Sequence, residues 1–113
     1  MTARRLAILW SVAIVVACLV PGQGLPSVQI VSFDKLIHVL LFVGFGLLWM
    51  RAAPGVPGRI LLTGVVFGIA IEVAQGTLPV HRSADVFDAI ADAIGVVIGV
   101  GVGRWLFASD SAT

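Results

Sequence analysis

The run ILLTGVVFGIAIEVAQGTL, residues 60–78, decides how the rest of the chain is read. It is apolar apart from Glu72 and Gln75. At about 1.5 Å per residue a helix of this length approaches the roughly 30 Å of a bilayer's hydrocarbon core. A strand would need polar and apolar residues to alternate, and they do not. The run therefore predicts a membrane helix. It also poses a question, because a carboxylate inside a membrane is costly and is there for a reason.

The same pattern recurs. Leu6–Val20 is uninterrupted and apolar, Leu36–Met50 is apolar apart from His38, and Val86–Phe107 carries Asp88 and Asp92 near its start and Arg104 near its end. Short breakers separate them, PGQGLPS and APGVPG with Pro and Gly and PVHRSAD with Pro79. The fold expected is an all-α membrane protein, a four-helix bundle with spans at about 6–20, 34–50, 60–78 and 86–107. Residues 1–113 form a single domain. Composition agrees. Only 12% of the residues are charged, half the soluble norm of about one quarter. Mean hydropathy is +1.12. A net charge of +1 with no basic run and no zinc spacing gives no reason to expect nucleic acid. One cysteine excludes an intramolecular disulfide framework.

Arg4, Arg5, Arg51, Arg59 and Arg104 flank one side of these spans; Lys35 and Arg82, each beside acids, flank the other. The positive-inside rule then puts both termini in the cytoplasm. Trp10, Trp49 and Trp105 fall near the same cytoplasmic ends, where an aromatic belt belongs. The basic start, apolar core and VVAC of residues 1–18 also admit a cleaved signal ending before Cys18. Residue 21 lies outside in both readings.

With this topology the polar residues converge. His38 is one turn deeper than Asp34 on the same face. Glu72 and Gln75 share a face, with Glu72 about 9 Å inside the end of its helix. Asp92 reaches a similar depth from the other direction, and Asp85, Asp88 and Asp92 line one stripe. Gly64 and Gly68 continue the Glu72 face, and Gly95, Gly99 and Gly103 continue the Asp92 face. Small residues four apart let membrane helices approach closely, so these are the packing faces. Glu72 is expected to face the bundle interior, toward His38 and Asp92. The outer layer then holds five acids (Asp34, Glu72, Asp85, Asp88, Asp92) against two bases (Lys35, Arg82). Such a surplus calls for protons, a protonated histidine, a bound cation or a cationic ligand.

DKLIHVLLFVGFG, EVAQ and HRSADVFDAIADAIGVVIG together resemble the VanZ-like family of small bacterial membrane proteins. The resemblance covers about Asp34 to Gly99. The family pattern of Asp-Lys followed by His, with an aromatic after it, matches Asp34, Lys35, His38 and Phe42. Its Glu and Gln three apart match Glu72 and Gln75. Its Arg, Asp, Asn and Gly match Arg82, Asp88, position 92 and Gly95. Here position 92 is Asp92 rather than Asn, which adds a charge. The founding member is associated with low-level resistance to teicoplanin, a glycopeptide acting on cell wall precursors at the outer surface. The resemblance therefore implies a cell-envelope role in the bacterial cytoplasmic membrane, not a reaction.

Each polar residue also has a plain structural reading. Asp34 and Asp85, near helix starts, suit caps or dipole partners. Lys35 and Arg82 suit ion pairs with them, or an anionic head group. His81 suits a solvated loop, Cys18 an apolar filler. Glu72, too short to snorkel and no cap of its own helix, is the strongest candidate for function.

Three functions remain open. The first is an accessory protein that binds a lipid-linked cell wall precursor, a glycopeptide or a lipid-like ligand through Asp34, Lys35, His38, Glu72, Gln75, Arg82, Asp88 and Asp92. The second is a membrane enzyme using His38, Glu72 and Asp92 as an acid/base or metal site. The third is a proton-coupled transporter, which would need an oligomer for a through-path, since the inner half is Gly, Val and Leu. No resident metal or cofactor is expected on the first reading, and its partners are the bilayer, the envelope ligand and further copies of the chain.

Overall fold

A computed structural model describes residues 2–20, 30–79 and 84–112. They form four helices: α1 Ala3–Leu19, α2 Ile30–Ala52, α3 Pro57–Thr77 and α4 Val86–Ala112. Local chemistry sets the ends. The Thr2 hydroxyl accepts the Arg5 N–H at 3.2 Å and caps α1. Val20 and Leu78, which follow α1 and α3, are extended. Each precedes a proline in the sequence, whose ring disfavours helical backbone in the residue before it. Pro57 opens α3 in the first turn, where its missing N–H costs nothing. The Asp85 carboxylate accepts the Phe87 N–H at 2.9 Å and caps α4.

Three of the helices are long and apolar enough to cross a membrane, over Asp34–Ala52, Pro57–Thr77 and Val86–Phe107. These are the makings of a multi-pass membrane protein. At 17 residues α1 is shorter than the roughly 20 that span a bilayer outright. Two helices outrun the expected spans. α2 begins at Ile30, so Asp34 lies in its second turn rather than at a cap. α4 continues past Phe107 to Ala112 because no Pro or Gly stops it.

The molecule measures 50 × 23 × 20 Å. Its outside is apolar, as lipid demands: Leu62, Val66, Ile69 and Val73 on α3 and Ile94, Val97 and Ile98 on α4 are all exposed. Helix pairs close through small residues. α2 and α4 make the most extensive contact. A Cβ at Gly95 would lie 2.5 Å from the Val39 carbonyl oxygen, and one at Gly103 would lie 2.6 Å from Met50 Cβ. At Gly99 it would collide with the Val43 carbonyl and meet Gly46 Cα. Backbones this close exchange many dispersion contacts, which substitute in lipid for the missing hydrophobic drive. Phe42, Phe45 and Phe67 fill the space between α2 and α3, with ring centroids 5.5–6.0 Å apart.

α1 docks through its tryptophan. Trp10 packs over Gly44, and its indole N–H donates to the Leu41 carbonyl at 2.7 Å. Trp49 answers from α2, donating to the Ser11 hydroxyl at 3.0 Å. Two of the three tryptophans expected in an interfacial belt thus also bolt α1 to α2. Trp105 is 80% exposed.

Candidate functional site

The C-terminal end of α1, the first half of α2, the last turns of α3 and the first half of α4 meet at one end of the bundle. There His38, Glu72, Gln75, Asp88 and Asp92 are buried. The three helices predicted to pool their polar groups do so.

Lys35 bridges the cap and the first turn of α4. Its ammonium lies 2.9 Å from Asp85 Oδ2 and 3.1 Å from Asp88 Oδ1. The Lys35 hydrogen bond, with the Phe87 N–H behind it, holds the Asp85 carboxyl below the usual carboxylate range. One turn deeper, His38 Nδ1 meets Asp92 Oδ1 at 2.6 Å. The other ring nitrogen, Nε2, faces Asp34 Oδ2 at 3.6 Å and Asp88 Oδ2 at 3.9 Å. Asp92 has room because Gly68 faces it from α3: a Cβ there would stand 3.0 Å from Asp92 Oδ2.

Glu72 ties α3 to the start of α4. Its Oε2 accepts the Asp85 N–H at 2.8 Å. It thus satisfies one of the orphan amides at the start of a neighbouring helix, a place that the positive end of the helix dipole makes favourable for an anion. The sequence excluded Glu72 as a cap of its own helix and had no signal for this one, since the donor is a backbone amide thirteen residues on. Gln75, a turn further along, donates to the Cys18 carbonyl at 2.7 Å and ties α3 to α1. That bond was equally invisible in the sequence, where Cys18 reads only as filler; its side chain is indeed buried.

Three buried oxygens have no hydrogen-bond partner among the described residues: Glu72 Oε1, Gln75 Oε1 and Asp92 Oδ2. Two sets of side chains present donor atoms mutually within 4.8 Å, in the way a metal requires: Asp34, His38 and Asp88, and His38, Glu72 and Asp92. The site therefore combines an acid/base-capable histidine–aspartate pair, an ion-paired lysine and two carboxylates with spare acceptor capacity.

The layer is not sealed from the side. Between α3 and α4 runs a groove of about 490 Å³, walled by Val65, Ile69 and Val73 and by Val86, Ile90 and Ala93. It is apolar along its length and reaches Glu72 and Asp85. Arg82 and His81 lie outside the described residues. The other predicted site residues, Asp34, Lys35, His38, Glu72, Gln75, Asp88 and Asp92, all belong to this one end.

No curated protein and no solved structure matches the chain. A family model does: VanZ/LLP1 matches residues 4–107, so that the resemblance first carried by Asp34 to Gly99 extends back through α1. With nearly its whole length inside that match, the chain belongs to the VanZ/LLP1 family.

Proposed function

We propose that this chain is a four-span protein of the bacterial cytoplasmic membrane, with both termini in the cytoplasm and its polar layer just beneath the outer surface. There it binds a lipid-linked or lipid-like envelope ligand, and through it contributes to glycopeptide tolerance of the teicoplanin type. The observation that carries this reading is the lateral groove between α3 and α4. Its apolar walls suit an acyl or isoprenoid chain, and it ends on Glu72 and Asp85. A lipid tail can enter from the bilayer without crossing water, which brings its head beside Asp85 and the Lys35 ammonium paired with it. Lys35 serves a phosphate by exchanging one of its two aspartate partners. Arg82, in the connection between α3 and α4, supplies a second cation.

Teicoplanin and vancomycin susceptibility of a sensitive host tests the reading, comparing empty vector, wild type and Glu72→Gln at matched membrane levels. Wild type should protect and Glu72→Gln should not. Equal protection by both would reduce Glu72 to a packing residue and sink the reading. Arg82→Glu should abolish protection while Arg82→Lys keeps part of it.

A membrane-embedded enzyme is the second reading, and the 2.6 Å His38–Asp92 pair favours it. A carboxylate on one imidazole nitrogen fixes the tautomer and raises the basicity of the other, as acid/base catalysis needs. Turnover of a lipid phosphate by wild type and not by His38→Gln would move the assignment here. The transporter reading has less behind it: α2 and α4 close on each other through Gly95, Gly99 and Gly103 below the polar layer, which leaves no polar path along that seam among the described residues.

A further inference from the structure

We propose that His38, Glu72 and Asp92 form a site for a first-row divalent cation of the Zn2+ or Mn2+ type, clamped between α2, α3 and α4. One donor atom from each residue lies within 4.8 Å of the other two, and all three side chains are buried. Burial makes the demand for a partner severe. Glu72 is 6% exposed and Asp92 0%, yet Glu72 Oε1 and Asp92 Oδ2 have no hydrogen-bond donor among the described residues. A buried carboxylate oxygen calls for a donor, a proton or a cation. Lys35 stands in the same layer, but its ammonium is committed to Asp85 and Asp88.

The surroundings hold the donors as outer partners hold the ligands of known metal sites. Glu72 keeps Oε2 on the Asp85 amide and leaves Oε1 for the ion. With Nδ1 turned to the ion, His38 carries its proton on Nε2, which faces Asp34 and Asp88. A ligating histidine almost always has an acceptor behind it, a carboxylate, a backbone carbonyl or a water, and here the carboxylates of Asp34 and Asp88 stand at 3.6 and 3.9 Å. Gly68 contributes the space, since any side chain there would press on Asp92 Oδ2. The 2.6 Å contact between His38 Nδ1 and Asp92 Oδ1 is the closed form of the site. Two donors of one ion, each about 2.1 Å from it at a tetrahedral angle, stand about 3.4 Å apart. Binding therefore opens this pair by under about 1 Å, and the orphaned Asp92 Oδ2 enters beside it. One imidazole with two carboxylates is a donor set for Zn2+ or Mn2+; it lacks the thiolates of a Cu(I) site and the all-oxygen shell of Ca2+.

The test uses the full chain purified in detergent, stripped with chelator and dialysed against Zn2+ or Mn2+ separately. Bound metal is counted by elemental analysis, and unfolding temperature is followed alongside. One ion per wild-type chain is expected, with a rise in unfolding temperature on binding. Glu72→Gln and Asp92→Asn, close in shape to the wild-type side chains, should each weaken binding by more than about 100-fold and lose the thermal gain. Asp88→Asn, behind the histidine, should weaken it about 10-fold. Less than stoichiometric metal in wild type, or undiminished binding in Glu72→Gln, overturns the proposal. So does a Glu72→Gln chain that is more stable than wild type while wild type gains nothing from either ion, which would assign the orphaned oxygens to protons. Metal counting needs no envelope ligand, so its failure leaves the resistance assay standing, and the reverse holds.

Discussion

At the polar end of the α2–α4 interface, Lys35 and His38 are set against Asp85, Asp88 and Asp92 at 2.6–3.9 Å. Along the rest of the same interface, Gly95, Gly99 and Gly103 press against the backbone of Val39 and Val43 and the side chain of Met50. One half is held by charges that need partners, the other by shape that tolerates no addition. The difference teaches how a small membrane protein combines rigidity with a buried polar layer. The glycine half fixes the distance between the helices and needs no polar group to do so. The charged half is thereby free to keep groups that are poorly satisfied, because the fold does not depend on satisfying them all.

The largest expected effect strikes the charged half. His38→Ala leaves the Asp92 carboxylate buried without its partner, a loss of about 3–5 kcal/mol for a broken buried pair. Chemical unfolding in detergent reads it directly. A loss under about 1 kcal/mol would mean that the pair contributes little and that packing, not this contact, holds α2 to α4. Gly99→Val strikes the other half. Its added atoms meet the Val43 carbonyl and Gly46, and overpacking of this kind costs about 1–3 kcal/mol. An unchanged unfolding midpoint would show that α2 and α4 can separate without penalty.

The third effect is smaller and depends on pH. Lys35 holds the Asp85 pKa below its ordinary value, so the pair stabilises the fold above the usual carboxylate range. That contribution is lost as pH falls through the lowered folded value. The group is 36% exposed on its side chain, so solvent screening keeps the pair under about 1 kcal/mol. Asp85→Asn should flatten the acid limb of the stability–pH curve, and an unaltered limb would count against the pairing. The smallest effect has the opposite sign. Nothing lies within 4 Å of a Cβ at Gly101, two residues from Gly99. Gly101→Ala should gain about 0.5 kcal/mol from helix propensity alone. A loss there would mean that the face is covered by something, a second copy of the chain being the first suspect.

The polar layer was legible in the sequence because helical spacing is rigid. Once three segments are helices, Asp34/His38, Glu72/Gln75 and Asp85/Asp88/Asp92 each have a face and a depth, and the charges locate the faces that meet. The meeting of His38, Glu72 and Asp92 follows from that geometry. What stayed hidden depends on backbone groups, which carry no letter in the sequence. Glu72 on the Asp85 amide, Gln75 on the Cys18 carbonyl and Trp10 on the Leu41 carbonyl are all of this kind. Gly46 was missed for a related reason. It opposes Gly99 across the seam but belongs to no repeating stripe of its own. The start of α2 at Ile30 was hidden too, since charge near a span's edge marks where lipid ends, not where the helix does.

The bond from Glu72 to the Asp85 amide also bears on biogenesis. As the chain is synthesised, Glu72 leaves the ribosome thirteen residues before the amide that will receive it. Entering lipid alone, α3 would carry its carboxylate without that partner; entering with the first turn of α4, it carries the partner along. The α3–α4 hairpin is therefore expected to insert as one unit. Truncations ending on either side of residue 85, each fused to a glycosylation reporter, read that order of events. Stable insertion of the shorter chain would separate the two helices in time.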